Sequence, residues 1–217
     1  MLLYSAPLSL FSRKVEIALH EKGLVFERVM VPFSQDGGYV PKHAEVLRHN
    51  PKGQVPVLID DDVAVFDSTL IFEYLEDAYP APPLLPAGAK ARARCRMIEL
   101  FADEVMLPPL RVLMRRPERV RAPAADEAAA ETTLREQYGW LEQRLGEDGY
   151  FCGGVSVADI GAFMSVLYVQ RLHGPGLREF PWLEAWYQRC AERDAFARVA
   201  ADVRRADEAL SPRLRDL

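Results

Sequence analysis

The segment NPKGQVPVLID, residues 50–60, runs from a turn signal straight into an apolar strand. Asn50, Pro51 and Gly53 mark the turn, and VPVLI leads into the acidic run Asp60-Asp61-Asp62. Pro56 stands at the head of the strand, where its missing N–H confines it to an edge or to the first position. Beyond the acidic run, VAVFD reads as the returning strand of an antiparallel hairpin. What lies on either side of this hairpin decides which sheet it joins.

Upstream, MLLY reads as a short buried strand. KVEIALHEKG reads as a helix with Val15, Ala18 and Leu19 on one face, closed by Gly23. LVFERVMV reads as a second strand. Two strands separated by a helix point to a parallel pair, and the hairpin adds antiparallel strands to it. Between LVFERVMV and Asn50 there is room for a loop or a short helix. Downstream, DSTLIFEYLEDAYP reads as a helix with Leu70, Ile71, Tyr74, Leu75 and Ala78 along one face. Residues 1–80 therefore make a small α/β domain of order β-α-β, then β-β-α.

Pro80, Pro82, Pro83 and Pro86 exclude regular structure around residues 81–88, which read as a linker. Past it, over residues 89–217, the strand signals vanish. AKARARCRMIELFADEVM is helical, and Pro108-Pro109 should interrupt its continuation into LRVLMRR. Further helices are expected at AADEAAAETTLREQYGWLEQRLG, VADIGAFMSVLYVQRL, PWLEAWYQRC and DAFARVAADVRRADEAL. No internal repeat occurs. The fold class is an α/β domain followed by an all-α domain.

Composition narrows the function. The 217 residues are 49% hydrophobic and 27% charged, a globular balance with a core of useful size. A net charge of −5 argues against nucleic acid as the main partner. No apolar run reaches the length that crosses a bilayer, and no secretory signal is recognised at the N-terminus. Cys95, Cys152 and Cys190 form no metal or redox motif and read as free thiols in a reducing cytoplasm.

Three places carry candidate chemistry. In SAPLSLFSRKV, residues 5–15, Ser9 and Ser12 stand three apart where a strand gives way to a helix. They cap that helix, or one of them faces a ligand at its N-terminus. Asp67-Ser68 precedes another helix, whose unpaired N–H groups and partial positive charge suit a carboxylate. Ser156-Val-Ala-Asp159 is a capping box with Asp in place of Glu, a folding element. In the run RVLMRRPERVRAP, arginines 111, 115, 116, 119 and 121 read as a solvated helix end or as an attractor of anionic substrates.

Taken in order, SAPLSLFSRKVEIALHEKG, NPKGQVPVLID, FDSTLIFEYLE and GGVSVADI resemble the cytosolic glutathione transferases, and the resemblance spans the whole chain. It implies a thioredoxin-like domain, a proline-containing linker and a helical second domain. It also implies a cis Val55-Pro56 bond, with the Val55 backbone pairing the cysteinyl unit of glutathione like an added strand and Gln54 reaching the glycyl end. Ser68 would bind the γ-glutamyl carboxylate, and Asp67, where many relatives carry Glu or Gln, the ammonium. Lys42 or His43 would meet the glycyl carboxylate. The serine and cysteine branches place their reactive residue at Ser9, with Ser12 and Tyr4 as the other candidates.

The function so implied is a serine-type glutathione transferase, a cytoplasmic homodimer without metal. It would direct the glutathione thiolate at a hydrophobic electrophile between the domains. Leu10, Phe11, Met106, Leu110 and Met114 are candidate walls of that pocket. The alternatives are glutathione-dependent isomerisation, dehalogenation, ether cleavage or peroxide reduction, or a non-catalytic binding protein on the same fold.

Overall fold

Strand β1 (Leu2–Ser5) lies inside a four-stranded mixed sheet of order β2-β1-β3-β4. It runs parallel to β2 (Glu27–Met30) and antiparallel to β3 (Val57–Asp60), which pairs with β4 (Val63–Phe66). This is a computed structural model; it describes residues 1–118 and 120–216, so Arg119 lies outside the described residues. Only half of LVFERVMV becomes strand, because β2 is an edge whose Glu27 and Arg28 stay near solvent. The hairpin turns on Asp61 and Asp62 alone, with Asp61 at φ +50° and Asp60 paired with Val63.

Helix α1 (Leu10–Glu21) buries Val15, Ile17, Ala18 and Leu19. It ends in a Schellman arrangement, with Gly23 at φ +65° and the N–H groups of Gly23 and Leu24 donating to the carbonyls of His20 and Leu19. The short element before residue 50 is a helix, α2 (Ala44–His49). Helix α3 (Ser68–Ala78) buries Ile71, Phe72, Leu75 and Glu76. Its inward face is thus turned from the expected one, and Leu70 is 55% exposed. Glu76 is what rotates it: the carboxylate accepts from the N–H groups of Leu84 and Leu85 at 2.8 and 3.2 Å and pairs with buried Lys22 at 2.6 Å. Lys22 also donates to the carbonyls of Tyr79 and Pro82, so the proline-rich stretch is held by a buried ion pair.

The remainder is helical: α4 (Ala89–Leu100), α5 (Leu107–Leu113), α6 (Ala124–Glu142), α7 (Val157–Arg171), α8 (Pro181–Ala191) and α9 (Asp194–Leu210). Helix α7 is buried from Val157 through Val169 and forms the axis of this half. Helix α1 packs on α7 and α9, joining the halves. The interruption expected at Pro108-Pro109 comes earlier, as a π-turn over Phe101–Val105. Both prolines then sit in the first turn of α5, where no intrahelical N–H is needed. The Val105 carbonyl, which Pro109 has no N–H to serve, instead accepts from Gln137 Nε2 at 2.8 Å.

Candidate functional site

A cleft of about 260 Å³ opens between the turn ahead of β3, the start of α3 and the helical wall formed by the π-turn and α5. Gln54, Val55, Asp67 and Ser68 all line it.

The turn is braced by Asn50, a buried residue that sequence reading passed over as mere punctuation. Its Nδ2 donates to the Gln54 carbonyl at 2.6 Å, and its Oδ1 accepts from the Lys52 N–H at 2.9 Å. Val55 lies just outside β3; the Val55-Pro56 bond is cis, as the resemblance implied. Neither backbone group of Val55 has a hydrogen-bond partner among the described residues. A main-chain donor and acceptor thus stand open at the cleft.

Asp67 is the N-cap of α3. Its Oδ1 accepts from the Thr69 N–H at 3.1 Å, and its backbone takes φ +73°, a conformation rare outside glycine. The cap is therefore Asp67 and not Ser68. The Ser68 N–H and hydroxyl are left without partners among the described residues, at a helix end that favours anions. Lys52, not singled out from sequence, places Nζ 3.6 Å from Asp67 Oδ2 on the cleft rim.

Ser9 is placed differently. It caps α1 and is 5% exposed, and it does not line the cleft, although Phe11 does. Its Oγ accepts from the Ser12 N–H at 3.2 Å and from the Ser12 hydroxyl at 3.0 Å. Both lone pairs are then occupied, and the Ser9 hydroxyl has only its proton to offer. The Tyr39 phenol lies nearby; burial raises its pKa, and its interaction with Ser9 opposes the rise. Tyr39 sits thirty residues away in an irregular loop, and no local pattern marked it.

The other candidates fall outside the cleft. Tyr4 packs in a small core with Val31, Val46, Val55 and Val57, 4.8 Å from the His43 ring. His43 caps α2 through Nδ1, and Lys42 lies over the Tyr39 ring. Of the proposed walls, only Phe11 borders the cleft; Leu10, Met106 and Leu110 are core. Met114 is half-buried against that core. The helical wall is instead built from Leu100, Asp103, Glu104, Leu107, Pro108 and Arg111, so it is substantially charged. The arginine run divides accordingly. Arg116 is buried against Glu127 and Glu131, Arg115 pairs with Glu118 and Arg121 with Glu127, and Arg111 enters the cleft.

A thioredoxin-like sheet is joined here to a helical domain, with a cleft offering open main chain on one side and a free helix start on the other. Residues 3–83 match the family model "Glutathione S-transferase, N-terminal domain", and residues 102–194 match "Glutathione S-transferase, C-terminal domain". The chain belongs to the glutathione S-transferase family. It is 33% identical to glutathione S-transferase 1 of Dianthus caryophyllus, over 85% of this chain and 84% of that one. It is 30% identical to a probable maleylacetoacetate isomerase of Vibrio cholerae, over 93% and 96%. A stringent starvation protein A homolog of Coxiella burnetii is 38% identical, but over 45% of this chain and 44% of that protein. Among solved structures, a glutathione S-transferase of Methylobacterium radiotolerans in complex with glutathione sulfonate superposes with a TM-score of 0.75 at 28% identity, covering 92% and 93%.

Proposed function

We propose that this protein binds glutathione in the cleft and activates its thiol for attack on an electrophilic carbon. The open backbone of Val55, facing the free start of α3, carries the reading. A γ-glutamyl-cysteinyl-glycine chain has the groups this surface lacks: an amide unit for Val55 and an α-carboxylate for the Ser68 N–H and hydroxyl. Gln54 and Lys52 stand where the glycyl end emerges, and Asp67 faces the ammonium.

Ser9 supplies the hydrogen bond to sulfur. A free thiol has a pKa of about 8.5, so little thiolate exists at neutral pH. A hydroxyl whose lone pairs are filled donates, and a donor beside the start of α1 stabilises thiolate and lowers that pKa.

The protein works as a twofold dimer in the cytoplasm, where its three free thiols stay reduced. Isothermal titration with glutathione tests the reading, with saturable one-to-one binding expected; absence of binding removes it. The charged helical wall favours, as a second reading, a glutathione-dependent isomerase acting on a polar substrate.

A further inference from the structure

Cys95 and Cys152 are far apart in the sequence, and the fold brings them to one place. Cys95 sits in α4 with no exposed surface, and α4 packs against α7. Cys152 lies in the loop that enters α7, keeps part of its surface exposed and packs on the core to which Cys95 belongs. That loop is pinned on both sides of Cys152. The buried Asp159 carboxylate accepts from the Phe151 N–H at 3.2 Å on one side and from the Ser156 N–H at 3.0 Å on the other. Between the pins the chain turns through Gly153 and Gly154, at φ +81° and +130°, a path that glycine takes without strain. The two thiols lie beside each other at the first turn of α7, near the Ser156 hydroxyl.

Nothing in the proposed glutathione chemistry uses this pair, and its setting differs from that of an idle core cysteine. A thiol in apolar surroundings is inert because burial disfavours its thiolate. Here the neighbouring Cys152 thiol lowers the Cys95 pKa against the cost of burial. The Ser156 hydroxyl and the Ala158 N–H assist, and Asp159 opposes. Cys152 responds in the opposite sense: Cys95 pushes its pKa up, and burial adds to the rise. The pair gives up one proton more readily than an isolated buried thiol would, and it holds the second. The charge then passes between the adjacent sulfurs as the remaining proton does. The positive end of α7 favours that charge. Cys190 differs: burial raises its thiol, and Asp159 adds to the rise.

We propose that Cys95 and Cys152 form a reversible thiol–disulfide site whose co-reactant is a low-molecular-weight disulfide such as glutathione disulfide. Cys152, the partly exposed member, reacts first. Its thiolate attacks one sulfur of the small disulfide, and the S–S bond breaks. The departing thiolate takes the electron pair and then the proton that Cys152 gave up. The Cys95 thiolate next attacks the Cys152 sulfur, forms the intramolecular bond and expels the second small thiolate, which takes up the Cys95 proton. Two protein thiols are oxidised, and one small disulfide is reduced to two thiols. The product ties α4, which leads into the charged wall of the cleft, to the start of α7. At a reducing poise the pair stays open as two free thiols. The site does not depend on what the cleft binds.

The test incubates wild type, Cys95→Ala, Cys152→Ser and Cys190→Ser with excess glutathione disulfide. Free thiols after denaturation, intact mass and a non-reducing peptide map are then read. Wild type should lose two of its three thiols, drop in mass by two hydrogens and yield one peptide pair joined through Cys95 and Cys152. Cys190→Ser should form the same bond and keep no free thiol. Cys95→Ala should stop at a glutathionyl adduct on Cys152, and Cys152→Ser should keep both of its thiols. Dithiothreitol should restore the starting thiol count in wild type. Three intact thiols in wild type, a bond through Cys190, an adduct that persists without loss of a second thiol, or a bond that dithiothreitol does not open would overturn the proposal. The wild-type readings decide the question even where a variant fails to fold.

Discussion

At the scale of single residues, the proposed function gives the two serines different work, and experiment can separate them. Ser9→Ala removes the donor but no group that seats the peptide, so glutathione affinity should hold. The bound thiol pKa should rise and turnover should fall. Ultraviolet titration of the thiolate in the two proteins checks it, and coincident curves would reduce Ser9 to a helix cap. Ser68→Ala removes a hydroxyl from a carboxylate, an interaction worth about 1.5–3 kcal/mol, and titration calorimetry should show roughly a tenfold or greater loss of affinity. Because Asp67 is the cap, the melting temperature should stay unchanged in Ser68→Ala and fall in Asp67→Ala, which loses about 1 kcal/mol. The hydroxyls were legible because caps are local patterns. Tyr39 and Asn50 were not, since their partners are set by how a loop folds back.

At the scale of elements, α7 depends on its first turn. Asp159 accepts from the Ser156 N–H at 3.0 Å and hydroxyl at 2.6 Å, from the Phe151 N–H at 3.2 Å and from Trp186 Nε1 at 2.9 Å. The box read from sequence is complete, and it also clamps α8 and the loop before α7. Asp159→Ala strands these buried donors and should cost at least about 3 kcal/mol in urea unfolding. Burial raises the Asp159 pKa to about 6, against the pull of its four donors. A raised carboxyl holds its proton more tightly in the folded protein than in the unfolded one. Its contribution is therefore complete below pH 4 and is lost as pH rises through 6, on the order of 3 kcal/mol. Asp159→Asn should flatten that part of the stability profile. The periodicity of α3 misplaced its face, because a buried Glu76 paired with Lys22 counts as polar in any hydrophobic pattern.

At the scale of the whole molecule, α3 and α4 leave several large apolar side chains exposed near the rim of the cleft. Leu70 is 55% exposed, Met97 63% and Leu100 56%, and a bidentate Arg96–Glu73 pair at 2.7 and 2.5 Å ties the two helices beside them. Such a patch suits self-association about a twofold axis, which presents it to its own copy. Light scattering at micromolar concentration should give twice the chain mass of 24.5 kDa, and Met97→Glu should shift it toward the single chain. A monomer in wild type would assign the patch another role.

By itself the sequence determined the strand and helix order, the proline-rich connection, the caps at Ser9, Asp67 and Ser156, and the turn that exposes Val55. All of these are short-range: propensity, period and turn chemistry act within a few residues. Only the tertiary structure decided that Ser9 is buried instead of lining the cleft, that Lys52 and Arg111 border it, and that Lys14 sits between Glu99 and Asp103. Those pairings join residues up to 89 positions apart. They exist because α1 is pressed between the sheet and the helical half, where a buried charge must find its partners wherever the chain brings them.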